Sequence, residues 1–232
     1  MPADRSGARG TARDRVARRA SSVRRFDPER RDRIVDACLD VVAQVGVAGT
    51  SHRRVAAAAD VPLGSMTYHF TGMDELLEEA FTRFAREVSA RFERRMAGVR
   101  GLDEARRAVV DIVTLDTLRD QRELVLTQEL YTLAARVPRF RAITNAWMAR
   151  SRAALERHLD PTTARMVDAL IEGLTLHRAL DTEPQDVATV VDAVHRLTAG
   201  AAETLVGTPD SPTPDAPTPT RTPDPHTSEE PR

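Results

Sequence analysis

The chain of 232 residues carries 34 basic residues, every one an Arg, against 35 Asp and Glu, for a formal net charge of -1. One cysteine cannot form an internal disulfide, and no run of about 18 apolar residues is present to span a membrane. The even charge sum hides a split. Residues 1–72 hold 13 Arg and 8 acids, whereas residues 73–232 hold 21 Arg and 27 acids, so a basic front precedes an acidic back.

Residues 1–26 hold eight Arg and almost no large apolar side chains. They read as a disordered arm, either a solvated leader or a segment that touches DNA. No apolar core segment marks a secretory signal, so the cytosol is the expected location. The first helix is predicted to open at Asp27-Pro28, a capping residue followed by Pro. Ile34, Cys38, Val41, Val42 and Val45 then share one face, and Gly46 can end the helix in a left-handed conformation. Cys38 lies in that stripe and reads as a small buried hydrophobe.

The informative stretch is Gly46 to Leu77, GVAGTSHRRVAAAADVPLGSMTYHFTGMDELL. Thr50 or Ser51 can cap a short helix through Ala58 or Ala59. Asp60 makes a tight turn, and Pro62 starts a second short helix to about Tyr68 or His69. Val55, Ala56, Ala59, Val61, Met66 and Phe70 can pack between them. This is the layout of a helix-turn-helix. The outward residues of the second helix are then Leu63, Gly64, Ser65, Thr67, Tyr68 and His69, with no acid among them. A helix entering a phosphate-lined groove needs that composition, and Arg53 and Arg54 add positive charge nearby.

The stretch resembles the TetR family of transcriptional regulators. The resemblance rests on the first helix ending in Gly, Thr50, Arg53-Arg54-Val55-Ala56, Val61, Gly64-Ser65-Met66-Thr67-Tyr68-His69-Phe70 and Leu76-Leu77. It is specific over about residues 28–80 and architectural over 81–206. It implies a dimeric DNA reader joined to a helical effector-binding domain. By position it places Arg53, Leu63, Gly64, Ser65, Thr67 and Tyr68 at bases or adjacent backbone, and Ser51, Tyr68 and His69 at phosphates. Two residues depart from the family pattern. Asp60 stands where Gly is usual, and Met73 stands where a phosphate-binding Lys is usual. The amides at the start of the following helix, or the basic arm, would have to take over that phosphate.

The next helix is predicted from about Asp74 to Met96, with Leu76, Leu77, Ala80, Phe81, Phe84, Val88 and Phe92 at helical spacing. Further helices are expected at about 103–118, 121–136, 139–159, 162–181 and 185–204, with Pro138, Pro161 and Pro184 at starts. No strand signal survives, so the fold class is all-α. The resemblance makes Phe84, Leu115, Thr117, Gln128, Tyr131, Thr144, Trp147 and Met148 candidates for an effector cavity, with Gln128, Tyr131 and Asn145 as polar anchors. Taken singly, each reads more readily as ordinary core. A moderately hydrophobic small molecule suits such a lining.

The last two helices resemble the family's dimer surface. Met166, Leu170, Leu174 and His177 lie on one helix, and Val191 and Val194 on the other. The breadth of the apolar stripe favours a partner subunit over burial within one chain. His158, His177 and His195 have no ligand-spaced companions, so neither a metal nor another cofactor is expected.

The expected organisation is therefore an arm at 1–26, a DNA-binding domain at 27–72, an effector and dimerisation domain at 73–206, and a Pro/Thr-rich tail at 207–232. The expected function is a ligand-responsive repressor that binds a palindromic double-stranded DNA operator as a homodimer. Two alternatives compete. A helical adaptor could use its basic arm on an acidic partner. A small helical enzyme is the other, but the chain lacks any Lys for a Walker A motif or Schiff base, any Gly-x-Ser-x-Gly elbow and any His-Glu-x-x-His.

Overall fold

The computed structural model describes residues 27–200, and all regular structure among them is helical. The expected arm at 1–26 and tail at 207–232 lie outside the described residues. Helix α1 spans Arg30–Gly49, α2 His52–Ala58, α3 Leu63–His69 and α4 Met73–Ala97. Helix α5 (Leu102–Asp111) runs into a π-helical turn at Ile112–Asp116. Then follow α6 (Gln121–Arg136), α7 (Pro138–Leu155), α8 (Pro161–Leu180) and α9 (Val187–Leu197).

Local chemistry sets most of the boundaries. The Asp27 carboxylate accepts the Glu29 N–H at 3.1 Å just before α1. Gly46 adopts φ 70° and breaks the helical run near its end, as its position predicts, although one more turn follows to Gly49. Ser51 caps α2, Asp120 caps α6, Asp160 caps α8 and Asp186 caps α9, each through its side chain. Pro138 and Pro161 stand in the first turns of α7 and α8. Pro184 does not open a helix, because Asp186 provides the cap two residues later.

The segment expected as one helix over 103–118 is the main departure. It widens at Ile112, and the Thr117 N–H reaches back five residues to the Ile112 carbonyl at 3.1 Å. Leu118 then takes φ 46°. Two arginines hold this irregular backbone. Arg178 donates to the carbonyls of Thr114 (3.1 Å) and Thr117, and Arg95 pairs with Asp116 at 2.7 Å.

Two apolar cores form. The first joins Ile34, Val35, Cys38 and Val42 of α1 to Val55, Met66 and Phe70, then to Leu76, Phe81 and Phe84 of α4, Leu126 and Leu130 of α6, and Phe140 of α7. The second gathers Phe92 and Met96 of α4, Val109, Ile112 and Val113, Leu155, Val167 and Ile171 of α8, and Val190 and Val194 of α9. Cys38 is fully buried in the first core, and burial pushes its thiol up to about 12, so it packs as a hydrophobe. Helices α4 and α7 each contribute to both cores.

Candidate DNA-reading head and ligand cavity

The reading head is built by α2, α3 and the turn between them. Val55, Ala56, Ala59, Met66 and Phe70 are buried, and Val61 packs on them half-buried. Asp60 turns the chain with φ 50°, a conformation Asp tolerates better than most side chains. Gly is therefore not required at this turn.

Helix α3 presents a polar outer face. Tyr68 is 84% exposed and Leu63 54%, and Gly64 faces open space. Thr67 is also exposed, with its hydroxyl donating to the Gly64 carbonyl at 3.2 Å. Ser65 departs from the expected outward set. It is buried beside Met66, because a seven-residue helix turns both of these neighbours toward the core. His69 is half-buried against Tyr68, with ring centroids 4.9 Å apart. Burial, helped by Arg30 and Arg31, lowers its pKa.

The two arginines of α2 differ. Arg53 is exposed and has no hydrogen bond or ion pair among the described residues. Arg54 is exposed but bent back, donating to the Gly49 carbonyl at 2.5 Å, where it closes α1. Ser51 accepts the Arg54 N–H at 3.4 Å. At the start of α4, Met73 is partly buried against the first core. Glu75 accepts from the Thr71 N–H at 2.8 Å and the Thr71 hydroxyl at 2.6 Å, which holds its carboxylate beside the residue that precedes the helix cap.

Between the two cores lies a cavity with about 930 Å³ of atom-free space, its mouth included. Phe84, Thr117, Gln128, Tyr131, Trp147 and Met148, all expected from the sequence, line it together. Three expected neighbours do not. Leu115 is 60% exposed on the outside of the π turn, Thr144 is buried with its hydroxyl on the Arg141 carbonyl, and Asn145 is exposed. The aromatic walls meet in order. Trp147 stands edge-on to Phe84 and stacks on Tyr131, with centroids 6.1 and 6.2 Å apart.

The sequence reading missed the charged lining. Asp116, Glu123, Asp168 and Glu172 also face the cavity, with Arg91. Glu123 and Tyr131 stand two helical turns apart on α6, and Asp168 and Glu172 stand one turn apart on α8. That i, i+4 spacing was the available signal. Burial raises the Asp168 carboxyl to about 6 despite the opposing Arg152. Burial also raises the Tyr131 phenol, aided by Glu172, whose carboxylate accepts its hydrogen bond.

The outer face of α8 and α9 leaves Met166 (43%) and Val191 (38%) exposed, with His177 and Gly173 alongside. Leu170 and Leu174 are half-buried on the second core. Val194 is wholly buried within the chain, so it cannot form part of that surface. The apolar stripe of α9 is broad because its two sides serve different purposes: Val190 and Val194 turn inward, and Val187 and Val191 outward. No group of His, Cys, Asp and Glu among the described residues could hold a metal ion. No described helix is long and apolar enough to cross a membrane.

A helix-turn-helix with an acid-free outer face, mounted on a long helix that also walls a cavity, is the arrangement of a DNA-binding regulator. Residues 34–80 match the family model described as bacterial regulatory proteins, tetR family, and residues 100–200 match that of the tetracyclin repressor-like C-terminal domain. The protein SCO7518 of Streptomyces coelicolor A3(2) is 56% identical, with a TM-score of 0.70, covering 74% of this chain and 99% of that one. SCO1917, a TetR-family member from Streptomyces coelicolor A3, is 38% identical with a TM-score of 0.59, covering 73% and 98%. The multidrug binding protein EbrR, solved with ethidium, is 37% identical with a TM-score of 0.58, covering 73% and 98%. The regulator BetI 1 of Chromohalobacter salexigens is 28% identical over 172 residues, 70% of this chain and 85% of its own length. The chain belongs to the TetR family of transcriptional regulators, and it is not an enzyme.

Proposed function

We propose that the protein is a repressor that leaves its operator when a small molecule fills the cavity. One observation carries this reading. Helix α4 begins at Met73 beside the reading head and walls the cavity with Phe84, Val88 and Phe92. A ligand that displaces those side chains acts on the helix that holds the head.

In this reading residues 27–72 are the DNA-binding unit and residues 73–206 the effector and dimerisation unit, and the protein works in the cytoplasm. Two copies associate through the outer face of α8 and α9, around Met166, Gly173, His177 and Val191. Leu170 and Leu174 support that face from beneath. The two α3 helices then enter successive major grooves of a palindromic operator, about 34–36 Å apart. Arg53, Leu63, Gly64, Thr67 and Tyr68 meet the bases and nearby backbone. Ser51 and His69 meet phosphates, and Arg54 contributes positive charge. The buried Ser65 helps seat α3. Ligand binding favours a subunit arrangement with a different spacing, and only its unequal affinity for the two arrangements shifts the balance. The capture of EbrR with ethidium and with proflavin supports an aromatic compound as the effector class.

The test is a gel shift with genomic fragments selected by the purified protein, followed by challenge with compounds handled by neighbouring genes. Sequence-selective retention followed by release is the expected result. Binding with no preference over bulk DNA, falling with salt in the same way for every fragment, would leave only a basic adaptor.

A further inference from the structure

A helix that enters a groove is flanked by phosphates, yet α3 carries little charge of its own. His69 is its one basic side chain. The start of α4 adds none, because its first turn carries Asp74 and Glu75, and Met73 packs on the first core. Positive charge comes instead from α1. The Arg31 guanidinium lies 4.7 Å from the centre of the Phe70 ring, and Phe70 is the residue that closes α3. An aromatic face seats a guanidinium without using its in-plane N–H donors. After burial, Arg30 and Arg31 are what lower the His69 pKa, so both cations act on the end of α3.

Two acids of α4 hold Arg31, and they hold it loosely. Glu79 pairs with it through one carboxylate oxygen. One oxygen of Glu75 is taken by Thr71, at 2.8 and 2.6 Å, and the other stands 3.7 Å from Arg31, beyond hydrogen-bonding distance. The Arg31 and Glu79 side chains are 42% and 28% exposed, and ion pairs open to water contribute little. Other arginines of the head are committed within it: Arg54 to the Gly49 carbonyl and Arg33 to Asp27, each at 2.5 Å. Arg31 thus joins a seated guanidinium, an easily exchanged partner and a place at the end of α3. A phosphate diester offers the guanidinium fork the same pair of anionic oxygens as a carboxylate.

We propose that Arg31 is a phosphate anchor of the reading head, and that Glu79 occupies it as an intramolecular stand-in for the DNA backbone until a duplex docks. On docking, the guanidinium keeps its seat on Phe70 and exchanges the Glu79 carboxylate, which returns to water, for a phosphate oxygen. Glu79 is therefore a brake: it weakens the grip on every duplex alike, because a phosphate contact carries no sequence information. This rests on α3 being the helix that enters the groove.

The test is fluorescence anisotropy on the full chain over a range of salt, with a labelled genomic fragment that the protein retains and a scrambled duplex of the same length. Arg31→Gln should weaken binding to both and flatten the logarithmic salt dependence by about one unit per subunit. Arg31→Lys should keep most of that slope. The slope counts contacts per bound molecule, so partial unfolding does not imitate its loss, and thermal melting checks the fold of each variant. Glu79→Gln should raise affinity, and the gain should be about threefold larger with Arg31 present than in the Arg31→Gln background. The smaller gain measures the loss of one negative charge, and the excess measures the released guanidinium. An unchanged slope in Arg31→Gln, or a Glu79→Gln gain of the same size with and without Arg31, overturns the inference. Tyr68→Ala in the same titration scores the reading helix separately. If it binds both duplexes as the wild type does while Arg31→Gln loses slope, α3 is not the reading helix and the Arg31 contact stands. If Tyr68→Ala loses discrimination while Arg31→Gln keeps the full slope, the Arg31 anchor alone falls.

Discussion

Arg83 donates to the Asp36 carboxylate at 2.8 Å and also pairs with Asp32, so the residue next to Phe84 of the cavity wall grips helix α1 of the reading head. Neighbours on α4 thus face the cavity and helix α1. Asp32 and Asp36 are largely exposed, and such pairs contribute about 0–1 kcal/mol each. Arg83→Ala should therefore lower stability only slightly. Operator affinity without effector should stay within a fewfold of the wild type, while the effector concentration needed for release rises. An unchanged release curve would show that the bridge carries no coupling.

Gly46 offers a contrast. A Cβ there would stand 2.7 Å from a Glu129 carboxylate oxygen, the far end of a flexible side chain that can move. The backbone is the harder obstacle, because φ 70° with ψ 170° is a region kept almost entirely to Gly. Gly46→Ala should cost about 2 kcal/mol, or roughly 4–8 °C in melting temperature for a domain of this size. Adding Glu129→Ala should not restore it. Full recovery in the double variant would place the cost in the clash.

Arg53 and Tyr68 are exposed, and nothing in the core depends on them. Arg53→Ala should weaken binding to every fragment alike and flatten the logarithmic salt dependence by about one unit. Tyr68→Ala should reduce discrimination between operator and bulk DNA. Both should melt as the wild type does. Normal gel-shift affinity in both variants would sink the assignment of α3 as the reading helix.

The Asp168 carboxyl gives a pH signature. Burial raises it to about 6, Arg152 and Arg165 oppose the rise, and Glu172 adds to it. The folded chain therefore holds this proton more tightly than the unfolded chain. The stability it contributes is full below the ordinary value of 3.8 and declines as pH climbs through about 6. The melting temperature should therefore fall as pH rises from 5 to 7. Asp168→Asn should flatten that fall. A slope that persists in the variant points to another titrating group.

The sequence made the reading head legible because caps, turns and short apolar spacings are local. Ser51, Asp60 and Pro62 each act within a few residues of themselves. The aromatic lining was legible for a related reason: Phe84, Tyr131 and Trp147 are too large to lie idle on a helix. The acids were not. Asp168 and Glu172 look like the solvated side of an amphipathic helix until α6 and α7 close over them. Ser65 and Val194 failed for the opposite reason. A period of 3.6 assigns faces, but it cannot say which side of a short helix meets the core or how many neighbours a broad stripe has. The π turn at Ile112 was invisible because Ile112–Asp116 holds no Gly or Pro to interrupt the helical period, and Arg178 from a distant helix holds it open.

The first apolar core does not stop at residue 72. Val55 and Phe70 share it with Phe81, Leu130 and Phe140, so the head is not a cartridge that can be unclipped. A chimera joined between α3 and α4 would expose half an interior on each fragment and inherit two surfaces that were never fitted to each other. New operator specificity for this scaffold is better sought by exchanging Leu63, Thr67 and Tyr68 on the outer face of α3 than by grafting a foreign head.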